Sequence, residues 1–135
     1  MSRGFGWDVA FFTAKTVDKM NKVIRMSAYD LFSAIVLETP VDKGVLRNNW
    51  FATIGSHSTE TTKRGAPTGA ATNNSINEVL KRVKLDDIIY LSNNLAYAIP
   101  IEYDGHSGKA PNGMVRVNTV RWETIVANNV RKFNK

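Results

Sequence analysis

A long apolar stripe in the first third of the chain constrains the fold more than any other feature. Over residues 8–38, apolar or small residues recur in alternating steps of three and four, which places them on one face of an α-helix. Asp8 is a candidate N-cap, and Pro40 ends the helix because the residue before a proline is disfavoured in the α conformation. The pattern therefore predicts a helix about 45 Å long, with one end projecting beyond the domain. The stripe comprises Ala10, Ala14, Val17, Met20, Ile24, Ala28, Leu31 and Ile35.

The remaining elements are predicted to be short. Residues 39–44 read as a turn, and residues 46–54 alternate like a strand with aromatic side chains on both faces. Ser75 and Glu78 match a capping box that opens a short helix. Residues 88–91 form a second apolar strand, and a last helix runs over residues 112–132 with Asn112 as its cap. We expect an α+β fold in which long N- and C-terminal helices pack on a small, mostly antiparallel sheet, with a short middle helix.

A polar segment separates the first strand from the middle helix. Residues 55–74 are rich in Ser, Thr, Gly, Ala and Asn and contain almost nothing apolar beyond alanine. Such long stretches within a domain are usually functional or disordered. We expect a flexible loop that is ordered, if at all, only against another subunit; a dispensable surface insertion is the alternative. The whole chain, residues 1–135, is predicted to be one domain.

Composition narrows the classes of function. The chain has no cysteine, which excludes disulfides and thiolate metal sites, and it has no apolar run of the roughly 20 residues that a membrane span needs. Its 18 Lys and Arg against 12 Asp and Glu give a net charge of +6. This charge suits nucleic acid or an acidic protein as a partner, or simply a solvated surface. We expect no membrane contact and synthesis in the cytoplasm.

The residues that carry catalysis in other proteins are scattered along this chain. His57 and His106 are far apart, and neither has a second ligand at helical spacing, so no metal site is expected. Asp104, His106 and Ser107 include the residue types of a hydrolase triad, but they are neighbours in the sequence. The members of a catalytic triad usually converge from separate elements, so we do not expect a triad here. No phosphate-binding glycine loop is present, and Asp86–Asp87 reads as a solvated turn. We expect no catalytic residue and no cofactor.

Aromatic and basic residues interleave at two places. Trp50 and Phe51 lie near Arg47, and Trp122 follows Arg121, which would suit stacking of bases against a basic groove. Each aromatic also occupies a core-like position, and a role in the core is the preferred interpretation.

Two segments together carry a family resemblance. The first is residues 39–50, a Thr-Pro-Val-Asp turn followed by a strand that contains Trp50. The second is residues 90–116, with Ser92-Asn93-Asn94, Glu102-Tyr103, Gly105-His106-Ser107 and Ala110-Pro111-Asn112-Gly113-Met114-Val115 in that order. After a long first helix, this order resembles the tail-completion (neck) family of long-tailed bacteriophages, which includes the minor tail protein Z of phage lambda. The resemblance covers residues 20–130.

The resemblance implies a structural virion protein without enzymatic activity. It would complete the tail and join it to the DNA-filled head, as a ring-shaped homo-oligomer expected to be a hexamer. Its partners would be the tail terminator protein and head-completion or connector proteins, with packaged DNA as a further contact. It would be assembled in the bacterial host cytoplasm and located at the neck of the virion. The residues expected at partner interfaces, some of them shaping the backbone there, are Pro40, Asp42, Gly44, Trp50, Glu102, Tyr103, His106, Pro111, Gly113 and Met114.

Two other classes of function remain open at this stage. One is a small basic nucleic-acid-binding module or RNA-cleaving toxin, which the net charge favours. The other is a hydrolase that uses His106.

Overall fold

The long first helix organises the fold. The computed structural model describes residues 5–104 and 108–134, and helix α1 spans Phe5–Glu38. Asp8 therefore lies inside the helix, and its predicted role as N-cap is wrong. At 34 residues the helix is about 51 Å long. The predicted apolar face is buried around Ala28 and Ile35, but Val17 and Met20 are exposed, so the N-terminal half extends past the core.

The end of α1 coincides with the predicted proline stop. Thr39 donates its backbone N–H to the carbonyls of Ile35 and Val36, and its hydroxyl donates to the Ile35 carbonyl at 2.7 Å. The Arg47 guanidinium donates to the carbonyls of Leu37 and Thr39, both at 3.0 Å. Because the last carbonyls of a helix have no partner within it, a side chain from the next segment satisfies them here.

The predicted first strand is shorter in the structure. Residues Arg47–Asn49 form a 3₁₀ turn, and strand β1 spans only Trp50–Ile54. The physical reason lies in two asparagines, since Asn48 and Asn49 use their side chains to bind backbone groups of other segments, and asparagine is unfavourable in strands. Strand β2 spans Ile89–Asn93 and pairs antiparallel with β1, from Trp50 opposite Asn93 to Ile54 opposite Ile89.

The middle helix α2 spans Ala70–Leu80, so it begins five residues before the predicted cap. Gly69 precedes it with φ +77°, and Ser75 lies inside it, which makes the predicted capping box wrong. The two alanines that open α2 are the strongest helix formers, and this favours the earlier start. Residues 70–74 therefore do not belong to a loop.

The rest of the polar segment is hydrogen-bonded within the same chain. The Asn49 side chain donates to the Val45 and Thr62 carbonyls and accepts from the Thr62 backbone N–H at 2.9 Å. Asn94 donates to the carbonyls of Ser58 and Glu60. Both halves of this segment therefore have hydrogen-bond partners within a single chain, while its expected flexibility stays a prediction.

The described part of the C-terminal region contains three short helices, α3 at Ala98–Tyr103, α4 at Arg116–Thr119 and α5 at Trp122–Phe133. The single helix predicted over residues 112–132 is wrong: residues 112–115 precede α4, and a turn at Val120 and Arg121 separates α4 from α5. Asn118 explains the break, because its side chain donates to the Met114 carbonyl while its own carbonyl accepts from Arg121 in a tight turn.

Helix α5 packs on α1 instead of on the sheet. The buried Asn129 amide donates to the Ser27 hydroxyl at 3.1 Å and to the Asp30 carboxylate at 3.0 Å.

The α+β class, with a long first helix and a two-stranded antiparallel sheet, is confirmed. One hydrophobic cluster joins α1, β1, α2, α3 and the segment before α4, and it comprises Ala28, Phe32, Ile35, Val36, Leu46, Trp50, Ala52, Ile76, Leu80, Val83, Ala98, Ile101, Ala110 and Met114.

The hydrogen bonds of Asn49 generate a prediction about the polar segment. We expect Asn49→Ala to lower the free energy of unfolding by about 3 kcal/mol, because it leaves the half-buried Thr62 N–H and two carbonyls without their partner. Urea denaturation measures the change. Hydrogen exchange should show faster exchange at the Thr62 amide of the variant.

A matched control is Asn74→Ala, since Asn74 is exposed on α2 and its loss should change stability by less than about 0.5 kcal/mol. Equal stability of the two variants would show that the Asn49 side chain does not hold the segment.

Candidate interaction site

The two segments that carry the resemblance meet in space. The Lys109 ammonium donates to the Val41 carbonyl at 3.0 Å, and the Asn93 amide donates to the Leu46 carbonyl at 3.0 Å. An open groove of about 630 Å³ lies between the two segments. Its lining includes Pro40 and Asp42 from the first segment and Tyr97, Ile101 and Lys109 from the second. Residues about 60 positions apart in the sequence thus form one surface.

A buried carboxylate fixes the second segment. One oxygen of Glu102 accepts the backbone N–H groups of Met114 at 2.6 Å and Val115 at 2.7 Å. The other accepts the backbone N–H and the Nε–H of Arg116, both at 3.0 Å. These backbone N–H groups lie at and just before the first residue of α4, so a side chain from α3 caps the start of a different helix.

The protonation of Glu102 follows from this geometry. Burial alone would raise the pKa of its carboxyl group, but the three backbone N–H groups and the Arg116 guanidinium outweigh burial and hold the pKa below its ordinary value of 4.5. In its ion pair with Arg116, the Glu102 side chain is only 9% exposed to solvent. An ionised carboxylate with both oxygens occupied is unsuited to act as a general acid.

The close approach of Glu102 to the backbone explains why residue 113 is a glycine. Gly113 has φ +91°, and a Cβ there would lie 2.6 Å from the Glu102 carbonyl oxygen and 2.8 Å from one of its carboxylate oxygens. The Arg116 guanidinium also donates to the Glu102 carbonyl and lies 4.9 Å from the centre of the Tyr103 ring. Backbone, carboxylate and guanidinium together join α3 to α4.

The first segment is held in a comparable way. Gly44 has φ +78°, and a Cβ there would lie 2.5 Å from the backbone nitrogen of Pro67. Its carbonyl accepts from Asn48 and Ala66. The indole N–H of Trp50 donates to the Thr39 hydroxyl at 2.9 Å inside the core.

The predicted interface residues therefore divide by burial. Asp42, Tyr103 and Pro111 are exposed, and Pro40 is half-buried. Five others are buried within the chain: Gly44, Trp50, Glu102, Gly113 and Met114. The two glycines shape the backbone through their positive φ angles, and the expected contact roles of Trp50, Glu102 and Met114 stay predictions. His106 lies outside the described residues, so the hypothesis of a hydrolase based on it stays a prediction.

Sequence reasoning missed two exposed apolar residues of this region. Tyr97 lines the groove, and Ile99 on α3 is 65% exposed, the same fraction as Tyr103. Ile99 and Tyr103 are four residues apart, which places them on one face of the helix. The signal was the dense apolar run around Pro100, but the residues before a proline do not usually read as helical.

The other chemical hypotheses gain little support from the positions of their residues. His57 is exposed and lies edge-on to Tyr90, and Asp86 occupies a turn with φ +78°. Arg47 and Trp50, proposed for base stacking, are engaged with the end of α1 and with Thr39. Within residues 5–104 and 108–134, no group of three His, Cys, Asp or Glu side chains could hold a metal ion. Over the same ranges, no helix has the length and hydropathy that a membrane crossing requires.

Comparisons with protein-family models, with curated proteins and with solved structures find no match to this chain. The resemblance to tail-completion proteins therefore rests on the sequence segments alone.

The Glu102 site generates a prediction about pH. We expect Glu102→Gln to lower the free energy of unfolding by about 2 kcal/mol at pH 7, because an amide cannot replace a carboxylate that accepts four N–H donors. The pKa of Glu102 is lowered by folding, so its stabilisation is complete above pH 4.5 and is lost as the pH falls further. The difference between wild type and variant should shrink below that pH.

Urea denaturation at a series of pH values from 7 to about 3 measures this difference. Glu123→Gln, on the exposed side of α5, is the control for loss of a carboxylate and should have a small effect at every pH. A gap between wild type and Glu102→Gln that stayed constant with pH would contradict the role given to the ionised carboxylate.

Proposed function

We propose that this chain is a structural joining protein that acts through protein–protein contacts, as the tail-completion proteins of long-tailed phages do. One observation carries the proposal. The two segments that resemble the family fold against each other around one groove, and a buried carboxylate and two positive-φ glycines hold them there. Such elaborate support of short irregular elements suits a surface whose shape must be kept for recognition.

The proposed docking surface combines the groove and the outer side of α3. We name it the joining face, and it comprises Asp42, Tyr97, Ile99 and Tyr103. Its apolar side chains are largely exposed, while Arg116 beside Tyr103 supplies a charge at its edge. Exposed aromatic and aliphatic residues next to a polar border are typical of the centre and rim of a protein interface.

The partners follow from the same proposal. Copies of the chain would form a ring in which one heterologous contact is repeated until it closes. The joining face would contact a neighbouring copy, the tail terminator or a head-completion protein at the neck of the virion. No reaction is required of the site, and the saturated Glu102 fits a supporting role.

The alternative is a stand-alone nucleic-acid-binding module or RNA-cleaving toxin. The positive charge of the chain favours binding. RNA cleavage would need an acid–base pair, and the buried carboxylate of Glu102 has a lowered pKa and is engaged with four N–H groups. We therefore prefer the joining function.

Substitution on the joining face tests this proposal. We expect Ile99→Glu to leave the fold intact, because the side chain is 65% exposed, and to abolish or strongly reduce the yield of infectious particles. The assay is complementation, from a plasmid, of a phage or prophage that lacks the gene. Electron microscopy of the lysate should then show separate heads and tails.

The matched control is Ile88→Glu. Ile88 is 62% exposed, but it precedes β2 at the end of the sheet farthest from α3, so its substitution should preserve assembly. Urea midpoints of both variants establish that they fold. Full activity of Ile99→Glu, or virions whose mass-spectrometric inventory lacks this chain, would overturn the proposal.

A further inference from the structure

Two basic segments that are far apart in the sequence lie side by side on the surface. One is the exposed N-terminal half of α1, and the other is the turn after α2. The Asn21 side chain accepts the Leu85 backbone N–H at 2.7 Å, and the Arg25 guanidinium donates to the Val83 carbonyl at 2.6 Å. We name the resulting surface the basic face, and it comprises Lys15, Lys19, Lys22, Arg25, Lys81, Arg82 and Lys84.

The basic face is continuous across the two segments. Lys15, Lys19 and Lys22 follow at intervals of four and three residues, which aligns them along one side of α1. Lys22, Arg25 and Lys81 line a single groove of about 490 Å³ between α1 and α2. Apart from the half-buried Arg25, all of these side chains are exposed.

Acidic residues only partly offset this charge. Asp18 pairs with Lys22 at 3.1 Å, and Glu78 pairs with Lys81 at 2.8 Å. Asp86 and Asp87 follow Lys84, and the Asp87 carboxylate accepts the Lys84 backbone N–H at 2.7 Å. Lys19, Arg82 and the Lys84 ammonium make no ion pair with a carboxylate in the described part of the chain.

Holding like charges together is unfavourable unless an anion neutralises them. The two basic segments are nevertheless joined by two partly buried hydrogen bonds from side chains of α1 to backbone groups after α2. Along α1 the row from Lys15 to Arg25 extends about 15 Å. A nucleic-acid strand presents a phosphate about every 3.4 Å of its axis, so several phosphates can lie along this row at once.

We propose that the basic face binds the phosphate backbone of double-stranded DNA without reading its sequence. Lysine dominates the surface, and its ammonium group is a mobile point charge that neutralises phosphate without the fixed geometry of base recognition. The inference does not depend on the joining function, because it uses none of the residues of the joining face.

The test measures binding of the full chain to a fluorescent 20-base-pair DNA duplex by anisotropy at rising salt. We expect binding at low salt that weakens steeply, since each neutralised phosphate releases counterions. The triple variant Lys19→Gln, Arg82→Gln, Lys84→Gln should bind about tenfold or more weakly at a given low salt concentration. Its plot of log affinity against log salt should be shallower by about 2 to 3.

A charge-matched control separates the surface from the net charge. Lys43→Gln, Lys63→Gln, Arg64→Gln removes the same number of charges from exposed residues outside the basic face, and it should retain affinity within about threefold. No binding of the wild type at low salt, equal losses in both triple variants, or binding that salt does not weaken would each overturn the proposal. The joining function has its own readout in particle assembly, so either idea can fail alone.

Discussion

The surface on which the proposed function depends is held by one buried carboxylate. Glu102 accepts three consecutive backbone N–H groups and the Arg116 side chain, and it thereby makes α3 and the start of α4 a single unit. Charge-assisted hydrogen bonds are strong in a dry environment, and an unpaired carboxylate there would be costly. Gly113 is part of the same constraint, because any side chain at its position would displace the carboxylate. The exposed Ile99 and Tyr103 thus lie on a short helix that is held by this network and by the burial of Ala98 and Ile101 in the core.

Features set by local chemistry were predictable from the sequence. The apolar stripe and Pro40 gave the existence and the end of α1, and Gly44 marked the turn that follows. The antiparallel sheet followed from two short apolar runs separated by enough chain to return. The helix, the turn and each single strand depend on residues within a few positions of one another, where periodicity and backbone preference decide the outcome.

Polar side chains that bind distant backbone groups were not predictable. Asn49 reaches Thr62, Asn94 reaches Ser58, and Arg47 completes the end of α1, each across ten or more positions. In the sequence these residues look like turn formers or surface charge, because their partners become neighbours only in the folded chain. The capping role of Glu102 was equally unpredictable, because the backbone N–H groups that it accepts lie 12 to 14 positions away. Sequence reasoning also failed for the last helix, where the remote Glu102 carboxylate caps the start of α4 and the Asn118 side chain ends α4 before Arg121.

Helix α1 relates the joining face to the basic face. Lys22 and Arg25 lie in its middle, whereas Pro40 of the groove follows directly after its end. Because an α-helix rises 1.5 Å per residue, Lys22 and Glu38 are about 24 Å apart along a rigid rod. Core residues between them, Phe32 and Val36 among them, fix that rod to the rest of the domain. A partner bound at the groove therefore leaves the basic face open to a second one. A protein neighbour at the joining face and nucleic acid at the basic face would therefore contact different residues and would not compete for them.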